Sequence, residues 1–142
     1  MSGSGPIVYV EDDIDDQELF AEAIEQLKIP NKVQLIANGN EALNYLRTTS
    51  DQPFLIFCDI NLPQLNGIEL RDEINRDAYL SDKSIPFVYL TTTANKSAVK
   101  EAYRMNVQGF FVKPQNFIEL IDTLKDVVEY WNKCKHPNNA GD

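Results

Sequence analysis

Five short runs rich in β-favouring residues recur along the chain, each followed by a stretch with helical hydrophobic spacing. The runs are PIVYV (6–10), KVQLIA (32–37), FLIFC (54–58), PFVYL (86–90) and GFFV (109–112). After the first, Leu19, Phe20, Ala23, Ile24 and Leu27 return at the interval of an amphipathic helix. Ala42, Leu43 and Leu46 do so after the second, and Leu70, Ile74 and Ala78 after the third. Ala98, Val99, Ala102 and Tyr103 form a modest stripe, whereas Phe117 to Trp131 keeps helical period for several turns. FLIFC is apolar throughout, as a strand covered on both faces requires. Such alternation builds a parallel sheet with helices on both sides, and right-handed crossovers leave few topologies. The expectation is an α/β chain of five strands and five helices. One helix runs from Ile68 to about Ala78, and the longer stretch from Asp77 to Ser84 is a solvent-facing loop.

The polar residues are not spread evenly over this pattern. The first run ends in Glu11-Asp12-Asp13, the third in Asp59, the fourth in Thr91-Thr92-Thr93 and the fifth in Lys113-Pro114. All four ends lie on the carboxyl edge of a parallel sheet, where open α/β folds bind ligands at the point of strand-order reversal. The second run ends near Ala37 with nothing comparable, which makes it an edge strand and favours the flavodoxin-like order 2-1-3-4-5. Carboxylates gathered at one edge repel and need a cation or protons to coexist. Their hard oxygens suit Mg²⁺. With Lys113 as a positive charge and Thr91 as a hydroxyl donor, the set suits stabilisation of a phosphoryl group on a carboxylate.

Taken together and in order, VYVEDDIDD, FCDINLPQLNG, VYLTTTA and GFFVKP resemble the receiver domain of bacterial response regulators. The resemblance spans about residues 6–133, with 1–5 expected to be a flexible leader and 134–142 a flexible tail. It implies that Asp59 is the phosphoacceptor, receiving a phosphoryl group from a histidine kinase or phosphotransfer protein. It implies Mg²⁺ bound by Asp12, Asp59 and the backbone carbonyl of Asn61, with Glu11 acting through water. Thr91 and Lys113 would then hold the phosphoryl oxygens, and Asn66-Gly67 would close the loop after Asp59. A cis bond between Lys113 and Pro114 would aim the lysine into the site. Thr91 and Phe110 would form the switch, read out on the face made by the fourth helix, fifth strand and fifth helix. Phe110 stands where the family often has tyrosine, so it has the ring without the hydroxyl. Asn61 and Thr93 occupy positions that commonly tune dephosphorylation in the family. The segment RDAYLSDKSIPFVYLTT resembles stand-alone receivers, some of which serve phytochrome-type or hybrid kinases.

Bulk properties bound the function. The 142 residues suffice for one domain with a real core. A net charge of −9 argues against unaided binding to nucleic acid or anionic lipid. Two cysteines make no disulfide framework: Cys58 reads as core, and a reduced cytoplasmic setting is expected. The lone His136 is expected to be solvent-exposed. Asp15, Asp16 and Glu18 read as a solvated helix face. Without an attached output module, signalling would pass through an unknown downstream protein or a homodimer, and no enzymatic turnover is expected beyond the protein's own phosphorylation and dephosphorylation. The rival readings are a Mg²⁺-dependent phosphohydrolase with Asp59 as nucleophile, a non-phosphorylated interaction module and a flavodoxin-like FMN carrier. Asn61 stands where the hydrolase needs a second acid, and no Ser/Thr/Gly-rich phosphate loop follows the first run as an FMN site requires.

Overall fold

In the computed structural model, which describes residues 5–135, all five strands form and pair in parallel. The chain runs β1 (Ile7–Val10), α1 (Ile14–Gln26), β2 (Val33–Ile36), α2 (Gly39–Thr48), β3 (Leu55–Cys58) and α3 (Gly67–Arg76). It continues through α4 (Ala78–Asp82), β4 (Phe87–Thr91), α5 (Lys96–Arg104), β5 (Gly109–Val112) and α6 (Phe117–Lys133). Sheet order is β2-β1-β3-β4-β5, as expected for a flavodoxin-like doubly wound sheet. Strand order reverses between β1 and β3, which places the ends of these two strands side by side. The expected leader and tail fall outside the described residues except for Gly5, Cys134 and Lys135, and His136 falls outside them too.

Side chains alternate across the sheet, so each central strand feeds two cores. Val8, Val10, Ile56, Cys58, Phe87 and Tyr89 pack with Leu46, Leu70, Ile74 and Ala102 on the side covered by α2 to α5. Ile7, Tyr9, Leu55, Phe57, Val88 and Leu90 pack with Phe20, Ile24, Leu124 and Val128 under α1 and α6. β1, β3 and β4 are buried along their whole length, and β2 is half-buried at one edge. Each helix starts with an Asp or Asn cap whose side chain accepts a backbone N–H three residues on. Asn66 goes further, exchanging bonds with Glu69 in a capping box.

The described residues hold six helices where the sequence pattern suggests five. The stretch expected as a loop after Asp77 contains α4, whose five residues are too few to show a hydrophobic period. Asp77 ends α3 and caps α4: its side chain accepts from the Leu80 N–H at 3.1 Å and meets Arg47 of α2 at 3.1 Å. Leu80 is the reason for the turn, because it buries its side chain against α2 and α3. The expected readout face is therefore α5–β5–α6.

α3 also grips the far end of α5. Arg71 donates from Nε to the Met105 carbonyl at 3.2 Å and from Nη2 to the Asn106 carbonyl at 2.9 Å. Asn75 donates to the same Met105 carbonyl at 2.9 Å. The Arg71 guanidinium lies 5.1 Å from the centre of the Phe87 ring. These bonds satisfy carbonyls that the helix end leaves without partners of its own.

Candidate functional site

β1, β3, β4 and β5 deliver their polar ends to one place. The order of the sheet brings Glu11, Asp59, Thr91 and Lys113 to successive strand ends, each held by ladder-type bonds. The Glu11 N–H donates to the Ile36 carbonyl at 2.9 Å and the Asp59 N–H to the Val10 carbonyl at 3.0 Å. The Lys113 N–H donates to the Thr91 carbonyl at 2.9 Å. Glu11, Asp59 and Thr91 are buried, at 1%, 4% and 0% exposure, while Asp12 faces solvent.

Carboxylate oxygens of Glu11, Asp12 and Asp59 all lie within 4.8 Å of one another. Lys113 reaches into this cluster from β5. Its Nζ donates to Glu11 Oε1 at 2.5 Å, to Asp16 Oδ2 at 2.9 Å and to Asp59 Oδ2 at 3.3 Å. Glu11 is further satisfied by the Tyr9 hydroxyl at 3.2 Å on Oε1 and the Asp13 N–H at 3.1 Å on Oε2. The Asn61 N–H donates to Asp59 Oδ1 at 3.3 Å. Thr91 Oγ1 accepts the Thr93 N–H at 3.3 Å, and the Asn61 amide donates to Thr93 Oγ1 at 2.6 Å. The two loops flanking Asp59 are thus tied together.

Burial works against the charges of Glu11 and Lys113. Desolvation raises the Glu11 pKa; the bonds from Lys113 and from the Asp13 backbone oppose that rise, and the Asp59 charge adds to it. Burial likewise disfavours the Lys113 ammonium. Its bonds to Glu11 and Asp16 and the Asp59 charge outweigh that effect and hold its pKa above the ordinary value. Cys58 is pushed up by burial and then by the Asp59 charge, which leaves it a core thiol. An excess of acids over a single ammonium fits a divalent cation, and the three-carboxylate oxygen set has the hardness Mg²⁺ requires.

The loop behind Asp59 turns back through Gly67. The Leu62 and Gly67 N–H groups both donate to the Ile60 carbonyl at 2.9 Å, and the Tyr89 hydroxyl donates to the Gly67 carbonyl at 2.7 Å. A Cβ on Gly67 would lie 2.3 Å from the Asp59 carbonyl oxygen and 2.8 Å from Ile60 Cα. Both are backbone atoms and have no rotamer to escape into. Gly67→Ala is expected to destabilise the fold by about 1–3 kcal/mol, read as a lower midpoint in urea. An unchanged midpoint would mean that the loop gives way freely.

Two sequence expectations meet a different outcome, and one neighbour is added. No peptide bond among the described residues is cis, so Lys113–Pro114 is trans. The lysine needs no cis turn, because its own strand end and three acceptors already direct it, and trans is the favoured form by about 0.5–1 kcal/mol. Asp16, expected on a solvated face, lies on Lys113 instead. Tyr9 is a second unexpected neighbour; it lies two residues before Glu11 on the same strand face, and that spacing was the available signal. Phe110 is half-buried, with its ring 5.9 Å from that of Tyr89.

The fold and this edge define a doubly wound α/β domain built around an acidic site at the strand-order reversal. The chain belongs to the response regulator receiver domain family, whose profile matches residues 7–125; this is the receiver class of two-component signalling proteins. It is 31% identical over 129 residues to the "Probable methanogenesis regulatory protein FilR2" of Methanothrix harundinacea, covering 88% of this chain and 82% of that one. It is 30% identical over 130 residues to response regulator Rcp1 of Synechocystis, covering 88% and 87%. The Mn²⁺-bound crystal structure of response regulator Rcp1 aligns with TM-score 0.80 at 28% identity, over 93% of this chain and 97% of that one. The phosphorylated cyanobacterial phytochrome response regulator RcpA aligns with TM-score 0.84 at 32% identity, over 94% and 98%. No helix of the described residues is long and apolar enough to cross a membrane.

Proposed function

We propose that the protein accepts a phosphoryl group on Asp59 from a phosphohistidine of a kinase or phosphotransfer protein. One observation carries this reading: a nearly buried carboxylate lies within 4.8 Å of two further acids and 3.3 Å from a lysine, at the strand end where the sheet order reverses. An Asp59 oxygen attacks phosphorus, the bond to the donor imidazole nitrogen breaks, and its electron pair stays on the imidazole, which takes up a proton. Lys113 neutralises charge on the arriving oxygens, and Thr91 supplies a hydroxyl from β4.

Asp12, Asp59 and the Asn61 carbonyl are the proposed Mg²⁺ ligands, with Glu11 acting through water. The ion, when bound, neutralises the phosphoryl oxygens and the carboxylates together. The indirect role of Glu11 is supported by its bonds, since both its oxygens already have donors. The Mn²⁺-bound form of Rcp1 supports a divalent ion as the partner of this acidic cluster. The likeness to RcpA favours a phytochrome-type kinase as donor. The proposed setting is the cytoplasm, the proposed domain limits are 6–133, and the output is binding to a downstream protein or a second copy rather than substrate turnover.

Incubation with acetyl phosphate and Mg²⁺, followed by mass mapping, tests the acceptor. Phosphoryl label on Asp59 is expected. Label elsewhere, or none, would overturn Asp59 as acceptor, and steady turnover of small phosphate esters would favour the hydrolase rival. The switch has its own test. Phe110 is expected to rotate inward as Thr91 moves toward the phosphoryl group, packing more closely on Tyr89 than the present 5.9 Å ring separation. Crystal structures with and without beryllofluoride would show it, and an unmoved ring counts against the switch.

A further inference from the structure

We propose that Asp16 is a positioning residue that competes with the arriving phosphoryl group for Lys113. The inference rests on the phosphoryl-acceptor reading of the site. An ammonium has three N–H donors, and all three are committed here: to Glu11, to Asp16 and to Asp59. A phosphoryl oxygen can bond Lys113 only by displacing one of them. The distances and exposures say which.

Glu11 is 1% exposed and makes the shortest of the three bonds, so releasing it would strand a buried charge. Asp59 makes the longest bond, but it is the acceptor itself and becomes joined to the arriving group, so it stays beside Lys113. The Asp16 side chain is 35% exposed. It also lines, with Lys113, a cleft of about 110 Å³ between α1 and the β5–α6 turn, where water can replace the lost bond. Asp16 is therefore the partner that leaves at least expense. It competes with the incoming anion for the one positive side chain of the cluster.

The backbone of Asp16 is held independently, through its N–H to Asp13 Oδ1 at 3.2 Å, so changing the side chain leaves the helix cap intact. Removing the Asp16 charge should free Lys113 for the anion and tighten its binding. A residue that merely braces the structure would give the opposite sign.

Beryllofluoride binding, followed by ¹⁹F NMR titration at saturating Mg²⁺, isolates this step from chemistry. Asp16→Asn is expected to bind about three- to tenfold more tightly than wild type, the range of a partly exposed charge-assisted bond. Asp16→Glu, which keeps the charge, should return the affinity toward wild type. Asp15→Asn removes the same charge from an exposed site on the same turn and is expected to stay within about twofold. Unchanged or weaker binding by Asp16→Asn overturns the inference. An equal gain in Asp15→Asn also overturns it, since the effect would then be general charge. If wild type binds no beryllofluoride, the acceptor reading fails first and the inference falls with it.

Discussion

Asp59→Asn is expected to abolish phosphoryl incorporation from acetyl phosphate while making the metal-free protein more stable. The amide has almost the same shape and can still accept the Asn61 N–H that now reaches Oδ1 at 3.3 Å. It is not a nucleophile, so the acceptor is lost with little change in packing. The stability gain follows from the balance of charge. Glu11, Asp12 and Asp59 crowd within 4.8 Å, and Lys113 divides its bonds among Glu11, Asp59 and Asp16. Removing one partner of an isolated buried pair is costly, but here the acids outnumber the ammonium, so relief of repulsion wins. A gain of about 1 kcal/mol corresponds to roughly 3–5 °C in Tm for a chain of this size. Adding Mg²⁺ should shrink or reverse the difference, because an ion that binds the native wild type stabilises it by mass action. Mass mapping and calorimetry in EDTA and in Mg²⁺ check both halves. Persistent label would identify another acceptor. A lower Tm in EDTA would mean that the Asp59–Lys113 bond outweighs the repulsion.

Lys113→Met has the larger effect on folding. It leaves the Glu11 carboxylate at 1% exposure and that of Asp59 at 4% without the only cation bonded to them among the described residues. Uncompensated buried charge of this kind destabilises by about 3–5 kcal/mol. Asp16, a third exposed, contributes little to that loss. The sign with pH follows from Glu11. Burial already raises its folded pKa above the ordinary value of 4.5, and removing the lysine removes an opposing bond. The native state then holds a proton that the unfolded state has lost, so stability falls as pH rises from about 4.5 toward the raised folded value and levels off above it. The variant should therefore lose more stability at about pH 8 than at about pH 5.5, measured by urea unfolding in EDTA. Equal losses at both would show that Glu11 does not bear the freed charge.

The sheet and most of this site were legible in the chain because they rest on short-range patterns. Apolar runs such as FLIFC specify strands buried on both faces, and the polar residue that ends each run specifies what the shared edge carries. Strand order followed from chemistry: the run without a functional terminus had to lie outermost, and β2 does. What escaped depends on contacts that no local pattern encodes. α4 is five residues long and is held by Leu80 and a shared Asp77 cap, not by a periodic stripe. Asp16 has the look of an ordinary first-turn acid; only the meeting of α1 with the end of β5, 97 residues away, gives it a partner. The cis bond was an expectation of family likeness alone, and the trans backbone already brings Lys113 to its acceptors.

The unequal fastening of α5 makes it a lever. Its distal end is pinned by Arg71 and Asn75 through the Met105 and Asn106 carbonyls. Its proximal end adjoins the Asn61–Thr93 and Thr93–Thr91 bonds beside the acceptor. The Thr91 movement proposed above would therefore act at the handle of a door hung from its far edge. Nine residues at 1.5 Å each give an arm of about 13 Å, so a small tilt at the hinge sweeps the outer surface of the helix through a much larger arc.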